Sequence, residues 1–206
     1  MTNRIAIIGS GGHARSAINL LKDFFGDVDV IGIYDDSFVE GSDETINSIP
    51  LVGDVESLDL EQLIFLSIGD NSKRKRYFIE FYDCIIKENL FHKSSFCEQS
   101  VVYGMANQFF ANSYINSQTL IGDNNIINTG AIIEHEVVIG SHNHISVGAR
   151  LCGRSSVGSM CFIGAGAIII DKIKICDNVV IGAGSVVIQD IKEAGVYVGN
   201  PARKVK

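Results

Sequence analysis

The feature that most restricts the fold of this chain is a period of six. From Tyr103 every sixth residue is apolar, through Phe109, Ile115, Ile121, Ile127, Ile133, Ile139, Ile145, Leu151, Val157, Ile163, Ile169, Ile175 and Ile181 to Val187, without a phase slip. A helix returns to one face every 3.6 residues and a strand every two, so neither alone produces this spacing. A stacked solenoid does. Two residues before these positions the side chains are mostly small or short and polar, as at Ser113, Thr119, Asn125, Ala131, Asn143 and Ala149. The residue after is often glycine, as at Gly122, Gly140, Gly158, Gly164 and Gly182, which is expected to supply the bend at a corner. One branched residue, one small inward residue and one bend describe a face of a triangular prism. The expected fold is therefore a left-handed parallel β-helix, with five coils over this run and a length of about 24 Å at about 4.8 Å per coil. Glycine is not at every third position, which excludes a collagen-like repeat.

The residues before the repeat follow another pattern. An apolar run, Arg4–Ile8, leads through Gly9-Ser10-Gly11-Gly12 into an amphipathic stretch from about His13 to Phe25. Further apolar runs, Val28–Tyr34 and Leu63–Ile68, end in Asp35-Asp36 and in Gly69, and a charged helical stretch follows over about 72–88. Three parallel strands with crossover helices fit these residues, giving a Rossmann-like α/β half domain over 1–95 in front of the β-helix over 96–206. The segment 37–50 carries no readable pattern.

Gly9-Ser10-Gly11-Gly12-His13-Ala14 between a strand and a helix, with Asp35 some twenty residues on, matches a dinucleotide fingerprint. A dinucleotide site normally needs two such halves, and here the repeat begins after one. A mononucleotide-sized ligand fits better, its diphosphate on the glycine turn and helix N-terminus and its base or ribose on Asp35 or Asp36. His13 also reads as a plain helix-start residue, and Lys73–Arg76 reads first as a solvated helix face and second as a phosphate contact.

Three of the five histidines, His135, His142 and His144, fall within ten residues, and none occupies an inward hexad position. His135 lies two residues beyond Ile133 and His144 one before Ile145, so both imidazoles are expected to project from the prism, where they suit proton transfer near neutral pH. The net charge of −7 argues against nucleic acid as a partner. Five cysteines without a CxxC pair indicate neither a disulfide framework nor a zinc knuckle. With no apolar run of membrane-spanning length and a glycine turn where a signal peptide would stay apolar, cytoplasmic residence without membrane insertion is expected.

Taken together, Gly9-Ser10-Gly11-Gly12-His13, Asp35-Asp36, Ile68-Gly69-Asp70-Asn71, Ile133-Glu134-His135-Glu136, His144-Ile145-Ser146-Val147-Gly148 and Val198-Gly199-Asn200-Pro201-Ala202 resemble the family of sialic-acid O-acetyltransferases and nucleotide-sugar 4-amino N-acetyltransferases, hexapeptide-repeat acyltransferases with a left-handed β-helix. The resemblance spans essentially the whole chain. It implies a homotrimer that binds acetyl-CoA in a groove between neighbouring prisms and acetylates the 4-amino group of a nucleotide-linked, UDP-type 4-amino-4,6-dideoxy sugar for a surface glycan or glycoprotein. It further implies His135 as the base, Glu136 as the carboxylate that holds the imidazole, His144 as a contact to the acetyl group, and backbone contacts to CoA around Ala165 and Ala183. Gly11, Gly12, His13, Asp35, Asp36 and Gly69 are then the contacts of the nucleotide sugar. The choice of Glu136 over Glu134 rests on the resemblance alone.

The nearest rival is a sugar O-acetyltransferase in which the same histidine activates a hydroxyl. A zinc hydratase using His135, His142 and His144 is disfavoured by the acidic residues flanking His135, so no metal is expected. A non-catalytic nucleotide-binding trimer completes the alternatives.

Overall fold

The structure, a computed structural model, describes residues 4–26, 28–41 and 43–206. Two compact units meet between Glu88 and Asn89. In the first, β1 (Arg4–Ile8), α1 (Ala14–Phe25), β2 (Asp29–Tyr34), β3 (Thr45–Ile46), β4 (Ile49–Gly53), β5 (Leu63–Leu66) and α2 (Asn71–Glu80) follow in that order. The sheet order is β3-β4-β2-β1-β5, parallel except for the β3–β4 pair. Ile5, Ala6, Ile7 and Ile8 of central β1 are all buried, as a strand covered on both faces requires. Helix α1 buries Ala14, Ala17, Ile18 and Leu21, the i, i+3, i+4, i+7 stripe that docks a helix on a sheet.

The three expected strands are present, and two elements in this unit depart from expectation. The patternless 37–50 segment contains β3 and the start of β4, joined by Asn47 and Ser48 at φ 51° and 65°. Positive φ at both central residues is the type I′ hairpin, and Asn47 is fastened to α1 by hydrogen bonds to the Arg15 carbonyl and Asn19 Oδ1. Helix α2 is shorter than the expected 72–88. It ends at Glu80, after which Ile85 runs beside Ile64, with hydrogen bonds from Ile64 N to Cys84 O and from Ile86 N to Ile64 O. The β-branched pair Ile85-Ile86 is thus buried at the edge of the sheet instead of extending the helix.

The second unit is the prism, a left-handed parallel β-helix. Its three sheets hold six, five and eight strands, mostly two residues long, which pair in parallel eighteen residues apart, as Tyr114 with Ile132, Leu120 with Val138 and His144 with Phe162, until the last turn, where Val180 pairs with Val196 and Tyr197 runs antiparallel to Lys204. The stack is longer than the expected five coils because Leu90–Phe91 and Phe96–Cys97 already form rungs, in phase with the hexads. The apolar hexad residues from Phe109 to Val187 are at most 4% exposed. One interior row is an asparagine ladder: Asn89, Asn107, Asn125 and Asn143 each accept at Oδ1 from the backbone N–H one coil above, at 2.7 to 3.0 Å. The ladder supplies acceptors that an all-apolar interior would lack.

The corners differ from the expected ones. The bend is not made by the glycine after each apolar residue but two residues later, where every sixth residue from Ala106 to Gly184 adopts φ between 53° and 66°. These residues form three edges: Ala106, Asn124, His142, Met160, Asn178; Asn112, Gly130, Gly148, Gly166, Gly184; and Gln118, Glu136, Arg154, Lys172. Gly122, Gly140 and Gly164 have a different reason to be glycine, since a Cβ there would lie 2.6 to 2.8 Å from backbone atoms of the next coil. Among the described residues, no helix is long and apolar enough to cross a membrane.

Candidate active site

In the first unit a pocket of about 400 Å³ is lined by Gly9, Ser10, Gly11, Gly12, His13, Asp35, Ser37, Ser67, Ile68, Gly69, Asp70 and Lys73. Of the expected contacts, Gly11, Gly12, His13, Asp35 and Gly69 meet there, and Asp36 does not. The reasons for glycine differ within the turn. A Cβ on Gly9, at φ 112°, would strike Ile68, whereas one on Gly11 or Gly12 would meet nothing within 4 Å, so those two leave room above the turn. His13 is the N-cap residue of α1 and lines the pocket as well.

Asp35 braces the turn from behind. Its Oδ2 accepts from Ser10 N at 2.8 Å and its Oδ1 from Ser37 N and Oγ at 3.0 and 2.8 Å, with Lys73 Nζ 3.7 Å away. Burial pushes this carboxyl up, but the hydrogen bonds from Ser37 and Ser10 and the Lys73 charge outweigh it and hold it below the usual carboxylate range. Ser67, itself buried, donates to the Ile8 and Gly9 carbonyls. Asp36 is instead tied to α2: Tyr77 Oη donates to it at 2.6 Å, and Lys73 and Arg76 pair with it at 3.2 and 3.4 Å. The Tyr77 bond, chiefly, holds the Asp36 carboxyl low, against a smaller effect of burial. Lys73 therefore belongs to the pocket and is no plain solvated residue of the helix.

In the prism, His135 lies just before the corner at Glu136. The turn to φ 59° brings the Glu136 carboxylate back against the ring, with Oε2 2.9 Å from His135 Nδ1. Glu134 is turned elsewhere and accepts from Asn116 Nδ2 at 2.8 Å. The two side chains of the pair are 44% and 49% exposed. A carboxylate at Nδ1 selects the tautomer with the proton there, which leaves the Nε2 lone pair for an incoming acid. Nε2 lies over Gly153, one coil on, where a Cβ would sit 2.6 Å from it. Only glycine at 153 admits the ring in this position.

The expectation of two projecting imidazoles holds for His135 and fails for His144. His144 is 7% exposed, because Asn128 Nδ2 lies 3.1 Å from its Nε2 and the Phe162 ring packs edge-on at 5.1 Å. His142 sits on the first edge, 2.9 Å from the Asn124 amide. The three histidines thus occupy two different edges and a strand. Ala165 and Ala183 are exposed on the second edge; the Ala165 carbonyl accepts from Gly184 N, while the two alanine N–H groups have no acceptor among the described residues. On the first edge the corresponding N–H groups of Met105, Asp123, Ser141 and Ser159 are each capped by a side chain one coil above.

Residues 4–81 match the family model described as the PglD N-terminal domain, and residues 154–189 match that of the bacterial transferase hexapeptide, six repeats. Searched by sequence, the curated proteins give no match. Among solved structures, GDP-perosamine N-acetyltransferase from Caulobacter crescentus, crystallised as a histidine-to-alanine variant with CoA and GDP-perosamine, is 30% identical over all of this chain and 98% of that one, with a TM-score of 0.88. The chain belongs to the left-handed β-helix sugar N-acetyltransferases. The acetyltransferase domain of PglB from Neisseria gonorrhoeae, solved with acetyl coenzyme A, is 26% identical over the full length of both chains, with a TM-score of 0.87. WeeI from Acinetobacter baumannii, 19% identical over 99% of this chain and 100% of its own, shares the fold with a TM-score of 0.85. As a member of this family, the chain is an acetyltransferase of amino sugars.

Sequence reasoning missed Ser37 and Ser67 in the pocket lining, Arg74 behind it, and Gly153 beside His135. Only Gly153 carries a readable signal, as a glycine eighteen residues after the histidine.

Proposed function

We propose that this enzyme transfers the acetyl group of acetyl-CoA to the 4-amino group of a UDP-linked 4-amino-4,6-dideoxy sugar used in a surface glycan or glycoprotein. The observation that carries this reading is the exposed His135–Glu136 pair on a rigid corner. In the proposed reaction His135 Nε2 takes a proton from the amine as the nitrogen attacks the thioester carbonyl, and Glu136 stabilises the imidazolium that forms. Collapse of the tetrahedral adduct forms the amide and expels the CoA thiolate, which the imidazolium protonates. The free N–H groups of Ala165 and Ala183 are donors for the amide carbonyls of the pantetheine arm, and His144 stands by as a contact to the acetyl group. The glycine turn, the α1 N-terminus, His13, Gly69 and Lys73 suit a nucleoside diphosphate, with Asp35 ordering the turn. Asp36 acts on the nucleotide through Lys73.

Exposed Val102, Leu120 and Val138 form an apolar stripe on one outer face of the prism, which supports a homotrimer packed through such faces. An enzyme with these two substrates works in the cytoplasm, where both are made. His135→Ala is expected to lower kcat by about 10²–10⁴ while the oligomer stays intact by light scattering. Retained turnover would remove His135 as the base. Release of CoA thiol assayed with UDP-, GDP- and dTDP-linked 4-amino sugars and with hydroxyl acceptors tests the acceptor, and preference for a GDP sugar or a hydroxyl would overturn that part.

A further inference from the structure

The pocket of the first unit has two walls made of turns, and the second wall has an unusual support. Residues 68–70 connect β5 to α2 and line the pocket. Behind them lies Arg74, with 0% exposure. Its Nη1 donates to the carbonyls of Ile68 and Gly69 at 3.1 and 3.3 Å, and its Nη2 to Asn71 Oδ1 at 2.8 Å. Burial draws the guanidinium down to about 9, against the opposing pull of Asp70, so it stays charged at neutral pH. Burying a charge is unfavourable unless its donors find acceptors, and here two of those acceptors are carbonyls of the turn itself.

Arg74 is not part of the pocket lining, whereas Ile68 and Gly69 are. The Ile68 and Gly69 carbonyls are thus taken up by a group outside the lining, and in a trans peptide the N–H points away from its own carbonyl. Asp70 continues the arrangement by capping Lys73 N at 2.7 Å, which fixes the first turn of α2 and the stem of the Lys73 side chain. Carbonyl oxygens facing into the pocket would repel a diphosphate, and a wall of N–H groups attracts one.

We infer that Arg74 is a positioning residue for the nucleoside diphosphate: from behind the wall, it keeps the Ile68 and Gly69 carbonyls out of the pocket. A single ammonium cannot span these acceptors as the planar guanidinium does, so lysine is not an equivalent replacement. The inference rests on the nucleotide reading of this pocket.

The test uses the full-length enzyme and calorimetric titration with UDP, GDP and, separately, acetyl-CoA. Arg74→Lys is expected to weaken binding of the preferred nucleotide at least tenfold while acetyl-CoA binding changes less than twofold. Asn71→Ala, which removes one acceptor and leaves the arginine in place, is expected to weaken the nucleotide about threefold, and it decides the matter should the lysine variant not fold. A purely structural role would lower the melting temperature of either variant without separating the two ligands. Nucleotide affinity within twofold of the unaltered enzyme, in whichever variants fold, overturns the role of Arg74 alone. Failure of the unaltered enzyme to bind either nucleotide overturns the pocket reading and Arg74 with it.

Discussion

The first and second edges of the prism share one backbone and one left-handed bend every eighteen residues, yet they are finished in opposite ways. On the first, Asp123, Ser141, Ser159 and Asp177 each cap an N–H of the coil below. On the second, bends at Gly130, Gly148, Gly166 and Gly184 carry no side chain, and the N–H groups of Ala165 and Ala183 are uncapped. A closed edge holds coils together, and an open one offers donors to a ligand. The third edge adds chemistry, because its bend at Glu136 brings a carboxylate onto the neighbouring imidazole.

This contrast can be broken by single substitutions. The largest effect is expected on the third edge, where Gly153→Ala pushes the His135 ring aside, since the added Cβ would lie 2.6 Å from Nε2. Steady-state kinetics should show kcat lower by about ten- to a hundredfold with KM for acetyl-CoA unchanged. On the second edge, Gly166→Asn keeps a residue type that tolerates positive φ, so the melting temperature should move little, but its side chain covers the open amides. KM for acetyl-CoA is expected to rise several-fold, and an unchanged KM would show that the bare edge does not serve the cofactor. On the first edge, Ser141→Ala uncaps Asp123 N and is expected to cost about 1 kcal/mol in denaturant unfolding with normal kinetics. Altered kinetics there would erase the distinction between the edges.

The smallest effect separates the two units by pH. Asp35 and Asp36 are both held below the usual carboxylate range in the fold, so their stabilisation is present above the unfolded value near 4 and is lost as pH falls through the folded values. Thermal melts from pH 6 to pH 3 should show the first unit weakening below about pH 4, and Asp35→Asn should flatten that fall.

The prism was legible because its signal repeats: a residue such as Ile163 is recognised by its neighbours at 157 and 169. The corner was misplaced because the bending residue can be Gln, Glu, Arg, Met or Lys, and identity does not betray a left-handed φ that the coil geometry imposes. The first rungs escaped notice because Phe91 and Cys97 lie among charged and polar residues, although both are in phase. In the first unit the glycine turn and Asp35 were readable, since Gly9 is required by a positive φ and a close approach. Arg74 was not, because within Lys73–Arg76 only tertiary packing decides which side chain turns inward. The burial of His144 likewise depends on Asn128 and Phe162, sixteen and eighteen residues away.

The eighteen-residue offset also makes the prism a ruler with fixed graduations. Distance along its axis changes only in whole coils of about 4.8 Å, because losing or gaining one residue would exchange buried and exposed side chains in every rung beyond it. The spacing between His135 and the Ala165 and Ala183 amides is therefore quantised. On the roles proposed for these groups, a duplicated coil inserted between them would repeat the same stacking and move the proposed base one graduation away from the proposed donors, and acetyl transfer should fall accordingly.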